Sequence, residues 1–557
     1  MPGSRGWRDG AWPYGIILAL CLLLYLPGMS GVPVLDRDEA RFAQATRQML
    51  ETGDFLRIRF QDEARNKKPA GIYWLQAASV SAFSSPASTA IWPYRLPSLI
   101  GATAAALLVF AFGAAMSRGE ADPLTARRVA LIAAVLLASC LGVVAEAHIA
   151  KTDAMLLAAV TAGQGALGLA YVLRRARQPV PGWIAVVFWG AQIAAILLKG
   201  PAGPALALVT AAALSIADRD LRWLRGLYPV AGLLALVVAV APWLVAIEQA
   251  TEGRFVADAL GGDLMTKLIG AQESHGAPPF SYLLLTCATF WPGSLLLVPA
   301  LVRGWRRRDM PAERFLLAWL APAWVLLELV PTKLPHYVLP LYPALALLAA
   351  AALADGVRFA PRSWPRRVDI LVKALWVVVT VALAAALIGL PLRFGSEIAL
   401  AGVLGAGLLL AGMAAVLHYR APPAGTTGLL AALALAFVTP AALGVLPGLD
   451  RLWLSRAAAE LVAQHKPTAG TRLVAVGYSE PSLVFLLGTD VRLTTPRGAA
   501  EALQGGGEAL VGSREEAMFL QALSVRGLVA QPRGSVRGLD YSNGQRMVLT
   551  LYDVAPG

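Results

Sequence analysis

Residues 12–41 read WPYGIILALCLLLYLPGMSGVPVLDRDEAR. From Trp12 to Met29 the stretch carries no charge. A helix crossing a bilayer needs about 20 mostly apolar residues, and this run supplies them. It then passes directly into Asp36-Arg37-Asp38-Glu39. A secretory leader is excluded because no small-residue cleavage site follows and many further apolar runs come after it. Arg5 and Arg8 stand before the run and place the N-terminus in the cytoplasm. The charged quartet therefore emerges on the opposite side.

The rest of the chain has the same character. Of 557 residues, 57% are hydrophobic and 15% charged, with a mean hydropathy of +0.61. Soluble domains carry about 25% charged residues. This composition excludes a soluble enzyme, a disordered chain and a coiled coil. The apolar runs are long rather than alternating, so the spans are helices and not barrel strands. The net charge is +13. It implies no nucleic acid, because Lys and Arg gather in short loops such as Arg127-Arg128, Arg174 to Arg177 and Arg303 to Arg308, as the positive-inside rule expects of cytoplasmic connections. Cys21, Cys140 and Cys287 lie far apart in or beside apolar runs and imply no disulfide framework.

Further runs begin near Leu96, Val129, Ala154, Trp183, Pro201, Leu227, Tyr282, Phe315, Tyr337, Ile370, Leu400 and Gly428. The expected fold is a polytopic all-α membrane protein of about 13 transmembrane helices, several of them near the short end of the usual range. The membrane domain is expected over residues 1–446. Two extracytoplasmic connections are long, Ser30 to Tyr94 and Glu248 to Phe280. The first holds balanced acidic and basic charge, which marks a folded cap or a site. Within 31–94, Asp38–Thr52 reads as an amphipathic helix ended by Gly53, and Pro69–Phe83 as a second short helix, both lying at the membrane surface. Residues 447–557 have ordinary charge and alternate strand and helix patterns. Strands are expected at 472–478, 491–494, 509–511, 527–530 and 546–552, with helices at 499–503 and 515–523. This is a small extracytoplasmic α/β domain without a nucleotide-binding motif, serving as a structural or acceptor-docking unit.

Ionisable residues at the membrane border are the candidates for chemistry. Asp36 suits a helix cap. Asp38 and Glu39 suit a function where a lipid-borne substrate arrives, although Asp38 can cap the helix too. Asp153, in the segment Glu146 to Asp153, reads equally as a cap and as a functional carboxylate. Lys67 and Lys68, Lys199 and Lys333 sit on the extracytoplasmic side against the positive-inside tendency. Snorkelling to headgroups is one explanation; a shared anion, with a lipid phosphate as the obvious case, explains all three sites together. Tyr337 and Tyr342 can add hydrogen bonds or belong to an aromatic belt. His275 precedes a span, as a metal ligand with an acidic partner, a donor to a sugar, or a solvated loop residue.

At these residues the chain resembles the GT-C glycosyltransferases of the protein-mannosyltransferase type. The resemblance rests on Asp38-Glu39, Arg41-Phe42-Ala43, Lys67-Lys68-Pro69 and Tyr73-Trp74. It is more specific toward bacterial aminoarabinose transferases, through Leu198-Lys199-Gly200, Ala241-Pro242-Trp243, His275 to Phe280, Lys333 to Tyr337 and the C-terminal domain. Phe42 stands where such enzymes often carry Tyr, the lysine pair is a variant of a Lys-Pro element in which Lys68 is the favoured equivalent, and Gly261 to Lys267 is a weak version of a more acidic segment.

The resemblance implies transfer of 4-amino-4-deoxy-L-arabinose from undecaprenyl phosphate to a lipid A phosphate, on the periplasmic face of a bacterial inner membrane, with polymyxin resistance as the outcome. It implies Asp38, Asp153 and Glu39 as catalytic candidates. Lys68, Lys199, Lys333, Arg41, Tyr337 and Tyr342 would hold the donor phosphate. A divalent metal ion is an open expectation, with His275 as its candidate ligand. The partners implied are the carrier-linked sugar, lipid A and membrane lipids, for a monomer that binds no nucleic acid. A mannosyltransferase-like enzyme and a polyprenyl-lipid transporter are the competing readings.

Overall fold

The computed structural model describes residues 8–117, 122–259, 261, 277–356, 364–419, 421–465 and 471–557. The first run is helix α1, Arg8–Tyr25. After it come α2 (Asp38–Thr52), a hairpin of β1 (Arg59–Phe60) and β2 (Glu63–Ala64), and α3 (Gly71–Phe83). The membrane helices α4 (Trp92–Met116), α5 (Pro123–Ser139), α6 (Leu141–Ala147), α7 (Asp153–Arg175), α8 (Gly182–Lys199), α9 (Ala202–Asp218) and α10 (Pro229–Ala250) follow, with further apolar helices up to residue 440.

Among the described residues, eight helices are long and apolar enough to cross a membrane, or nine if the bent pair α5–α6 counts as one span. That is fewer than the apolar runs in the sequence. The Tyr282 run shows why. It is divided into a helix at Ser281–Thr289, a tight turn at Gly293–Leu296 and a helix at Leu297–Arg306. Pro292 stands at the break, where a missing N–H cannot continue the ladder. Hydropathy counts apolar residues and does not see such interruptions.

Helix α7 lies at the centre of the bundle. Its apolar window is 89% buried, against 17% for α10, which lies at the outside of the bundle. Close approach of α4 to α7 depends on Gly101, where an added Cβ would meet the Ala154 backbone at 2.7 Å. Gly71 does the same for α3 against the Leu197 carbonyl of α8. These two contacts draw the Lys67-Lys68 segment, the start of α7 and the end of α8 toward one place.

Helix α2 does not lie exposed on a surface as its amphipathic pattern suggested. Residues from Glu39 to Met49 are mostly buried. One side packs with Ile72, Tyr73 and Leu198. The other packs with Val80, Tyr94, Ala150 and Phe485, the last from the C-terminal region.

That region carries a five-stranded sheet ordered β4-β3-β5-β7-β6, built from β3 (Leu473–Val476), β4 (Arg492–Thr494), β5 (Gly507–Gly512), β6 (Leu528–Asp540) and β7 (Gln545–Pro556). β3 runs parallel to both β4 and β5, while β7 is antiparallel to β5 and β6. The five expected strands all appear. β6 is much longer than expected, and helices at Leu454–Gln464 and Pro481–Leu487 join the expected pair.

Candidate active site

The site is built around a bent helix. α5 ends at Ser139, Cys140 is extended, and α6 leaves at an angle of 61°. The turn after α6 is fixed by three elements. The His148 ring bridges the Val144 and Pro27 carbonyls at 2.8 Å each. Ser98 Oγ donates to the Ile149 carbonyl at 2.7 Å. The Ala150 N–H donates to Glu39 Oε1 at 2.8 Å. With the turn held, Glu146, Lys151 and Asp153 come together in one cluster.

Two further segments join it. α8 ends at Lys199, where Gly200 takes a positive φ of 72° and turns the chain away. The Lys199 ammonium donates to Asp153 Oδ1 and stands 5.3 Å from the Tyr337 ring centre. The tight helical segment Pro335–Leu341 brings His336, whose Nε2 lies 3.8 Å from Asp153 Oδ1. Lys151 Nζ sits 2.9 Å from Glu146 Oε1, 3.6 Å from Asp153 Oδ2 and 3.4 Å from His336 Nδ1. Burial disfavours the Lys151 charge, but the Glu146 and Asp153 carboxylates outweigh it and hold the ammonium above its ordinary pKa. The charge of Asp38 bears on Lys151, and that of Lys68 on His336. Asp38, Lys68, Lys151, Asp153, Lys199, His336 and Tyr337 are thus gathered at one border of the bundle.

The donor atoms of Glu146, Asp153 and His336 lie within 4.8 Å of one another, a spacing that would suit a metal ion. Lys151 decides against it. Its ammonium stands among all three donors, in the position a cation would take, so a divalent ion would meet a like charge there. These residues do not fit a metal. His275, the candidate ligand in the sequence, lies outside the described residues.

Other expectations are corrected by the contacts. Glu39 has the partners of a structural anchor rather than of a reacting group. Arg95 grips its two oxygens at 2.8 Å each, Ala150 and Leu35 N–H groups donate to them at 2.8 Å, and both charged side chains are 1% exposed. Lys333 is not brought to the cluster. Its ammonium donates to the Glu328 and Val330 carbonyls at 2.9 and 2.7 Å, closing the end of the helix Pro311–Leu329. Tyr342 is wholly buried, its hydroxyl bonded to Thr289 Oγ1 at 2.5 Å. Arg41 is half-buried on α2 and bonds none of the described residues of the cluster. Glu146, Lys151 and His336 had no role assigned from the sequence. Their unusual position, ionisable groups at a membrane border, was the available signal.

No family model matches the chain. It is similar to the undecaprenyl phosphate-alpha-4-amino-4-deoxy-L-arabinose arabinosyl transferase of Pectobacterium carotovorum, at 29% identity over 354 residues, covering 62% of this chain and 60% of that protein. The protein of the same name from Serratia proteamaculans is 28% identical over 350 residues, with the same coverage. The chain thus matches about 60% of the length of these curated relatives. Among solved structures, ArnT from Cupriavidus metallidurans bound to undecaprenyl phosphate superposes with a TM-score of 0.72 at 18% identity, covering 99% of this chain and 98% of that one. An oligosaccharyltransferase from Archaeoglobus fulgidus gives a TM-score of 0.50 at 14% identity, covering 94% and 70%. The chain therefore shares the fold of that ArnT structure, a helical membrane bundle with a small C-terminal sheet domain.

Proposed function

We propose that this chain is a lipid-linked-sugar glycosyltransferase that moves 4-amino-4-deoxy-L-arabinose from undecaprenyl phosphate to a phosphate of lipid A, at the periplasmic face of a bacterial inner membrane. The observation that carries this reading is the gathering of Lys68, Lys151 and Lys199 with Asp38 and Asp153 at one border of the helix bundle. The relatives' names supply the sugar and the carrier.

The chemistry follows from the charges. An acceptor phosphate oxygen attacks the anomeric carbon of the sugar. The bond from that carbon to the carrier phosphate oxygen breaks, and its electron pair leaves with the phosphate. Lys199 and Lys68 stabilise the charge that grows there, with the Tyr337 ring holding the Lys199 head in place. A phosphate monoester has its second pKa near ~6, so the acceptor is largely ionised at neutral pH and needs no strong base. Asp38 then orients the acceptor or the cationic amine of the sugar. Asp153 spaces and holds Lys151 and Lys199.

The test is reconstitution. Purified protein in liposomes receives carrier-linked aminoarabinose and lipid A, and the lipids are read by mass spectrometry. Lipid A heavier by one aminoarabinose unit is the expected result. Carrier lipid that changes leaflet with no new glycosidic bond would show a transporter instead.

A further inference from the structure

Helix α2 starts from an unusual backbone. Arg37, the residue before it, has φ 61° and ψ −107°, a region that side-chain-bearing residues enter only under strain. Such a conformation persists where surrounding contacts over-determine it. The contacts here come from the C-terminal domain. Ser482 donates to Asp36 Oδ1 through its hydroxyl and, at 3.3 Å, through its N–H. The Tyr541 hydroxyl accepts the Asp36 N–H at 2.7 Å. The Arg37 guanidinium donates to the Ser542 carbonyl. Ser482 is itself oriented by a hydroxyl chain, 2.6 Å to Ser455 and 2.8 Å on to Tyr478.

The grip continues along the helix. Phe485 is fully buried against Ala40 and Ala43, and its carbonyl accepts from Arg47 Nη1 at 2.6 Å. Gln44 Nε2 donates to Thr489 Oγ1 at 2.8 Å, which donates in turn to Glu51 Oε2 at 2.6 Å. Thus the C-terminal domain touches the strained turn and one whole side of the helix whose first residue is Asp38.

We infer that the C-terminal domain positions Asp38. Its Ser482 and its Tyr541-Ser542 turn hold Asp36 and Arg37 in the strained geometry that sets where the next residue, Asp38, leaves the backbone. The inference rests on the proposed transferase reading and deepens it. It assigns the domain to the geometry of the reaction rather than to acceptor docking. Released from the clamp, Arg37 relaxes to an ordinary backbone conformation and the first turn of α2 rotates. A displacement of about 1 Å in a reacting group can lower a rate about 100-fold.

The experiment uses the full-length protein in liposomes with carrier-linked aminoarabinose and lipid A. Tyr541→Phe and Ser482→Ala each remove one hydroxyl and little volume. The pair together should lower kcat about tenfold or more, with KM for both lipids within about twofold and binding of undecaprenyl phosphate unchanged. Unchanged kcat, or a rise in KM for lipid A alone, overturns the inference and leaves the transferase reading standing. A wild type that transfers no sugar overturns both. Should the double variant fold poorly, Tyr541→Phe alone carries the same comparison.

Discussion

Arg95 holds Glu39 with two parallel hydrogen bonds of 2.8 Å in a site where both side chains are 1% exposed. The pair joins α4 to α2 one residue away from Asp38. Removing one partner of a buried pair leaves the other charge uncompensated, at a cost of about 3–5 kcal/mol. Glu39→Gln should therefore lower the melting temperature in detergent and the yield of folded protein. Full thermal stability with activity lost would return Glu39 to the chemistry.

Asp38→Asn should behave in the opposite way. Asp38 is exposed on the first turn and its charge acts on Lys151. Transfer should fall by about 100-fold or more while the melting temperature holds. Wild-type turnover in this variant would remove Asp38 from the proposed site.

The lysines separate by their contacts. Lys199→Met should weaken binding of undecaprenyl phosphate by about tenfold or more, since a charge-assisted hydrogen bond is worth about 1.5–3 kcal/mol. Lys333→Ala should leave that affinity intact and loosen only the end of the 311–329 helix, whose carbonyls Lys333 caps. Tryptophan fluorescence titration with the carrier reads both. Equal losses would mean that Lys333 also meets the phosphate.

The Glu146, Asp153 and His336 cluster should hold no metal ion. Lys151 fills the centre of the three, so Glu146→Gln should leave the metal content of the purified protein, read by elemental analysis, unchanged. A loss of bound divalent ion in that variant would contradict the exclusion of a metal there.

The seam between the C-terminal domain and α2 should respond to pH. Burial pushes Glu480 up to about 7, and the nearby Asp36 and Asp540 charges add to this, against the pull of Ser542 and Arg37. The Ser542 hydroxyl faces both Glu480 and Asp540 with a single proton to give. Burial likewise raises Asp36. A carboxyl group with a raised value holds its proton better in the folded state. Its stabilising contribution is complete below the ordinary glutamate value of 4.5 and is lost as pH rises through about 7. The domain should resist protease better at pH 5 than at pH 8, and Glu480→Gln should flatten that difference. A wild type with equal resistance at both values would disprove the assignment.

Much of this architecture was legible in the sequence, for physical reasons. Long apolar runs have no other stable home than a bilayer, so the class of fold followed from α1 and its successors. Asp153 and Lys199 stood out because charge at the membrane border is costly and needs a partner. What was not legible depends on distant pairing. Glu39 looked reactive because its partner Arg95 lies 56 positions further on, inside an apolar helix. Lys333 looked like a phosphate ligand because nothing local shows that its ammonium turns back onto helix carbonyls. The helix Pro481–Leu487, only seven residues long, is too short to display a period, yet it carries both Ser482 and Phe485.

Asp38 and Glu39 are consecutive, and they serve opposite masters: one side chain is exposed and the other is sealed against Arg95. The numbering of this helix is therefore as constrained as its composition. A one-residue insertion or deletion between Val34 and Ala40 would move both carboxylates by one position and take Glu39 out of the place that faces Arg95, so natural length variation should be excluded from that short window.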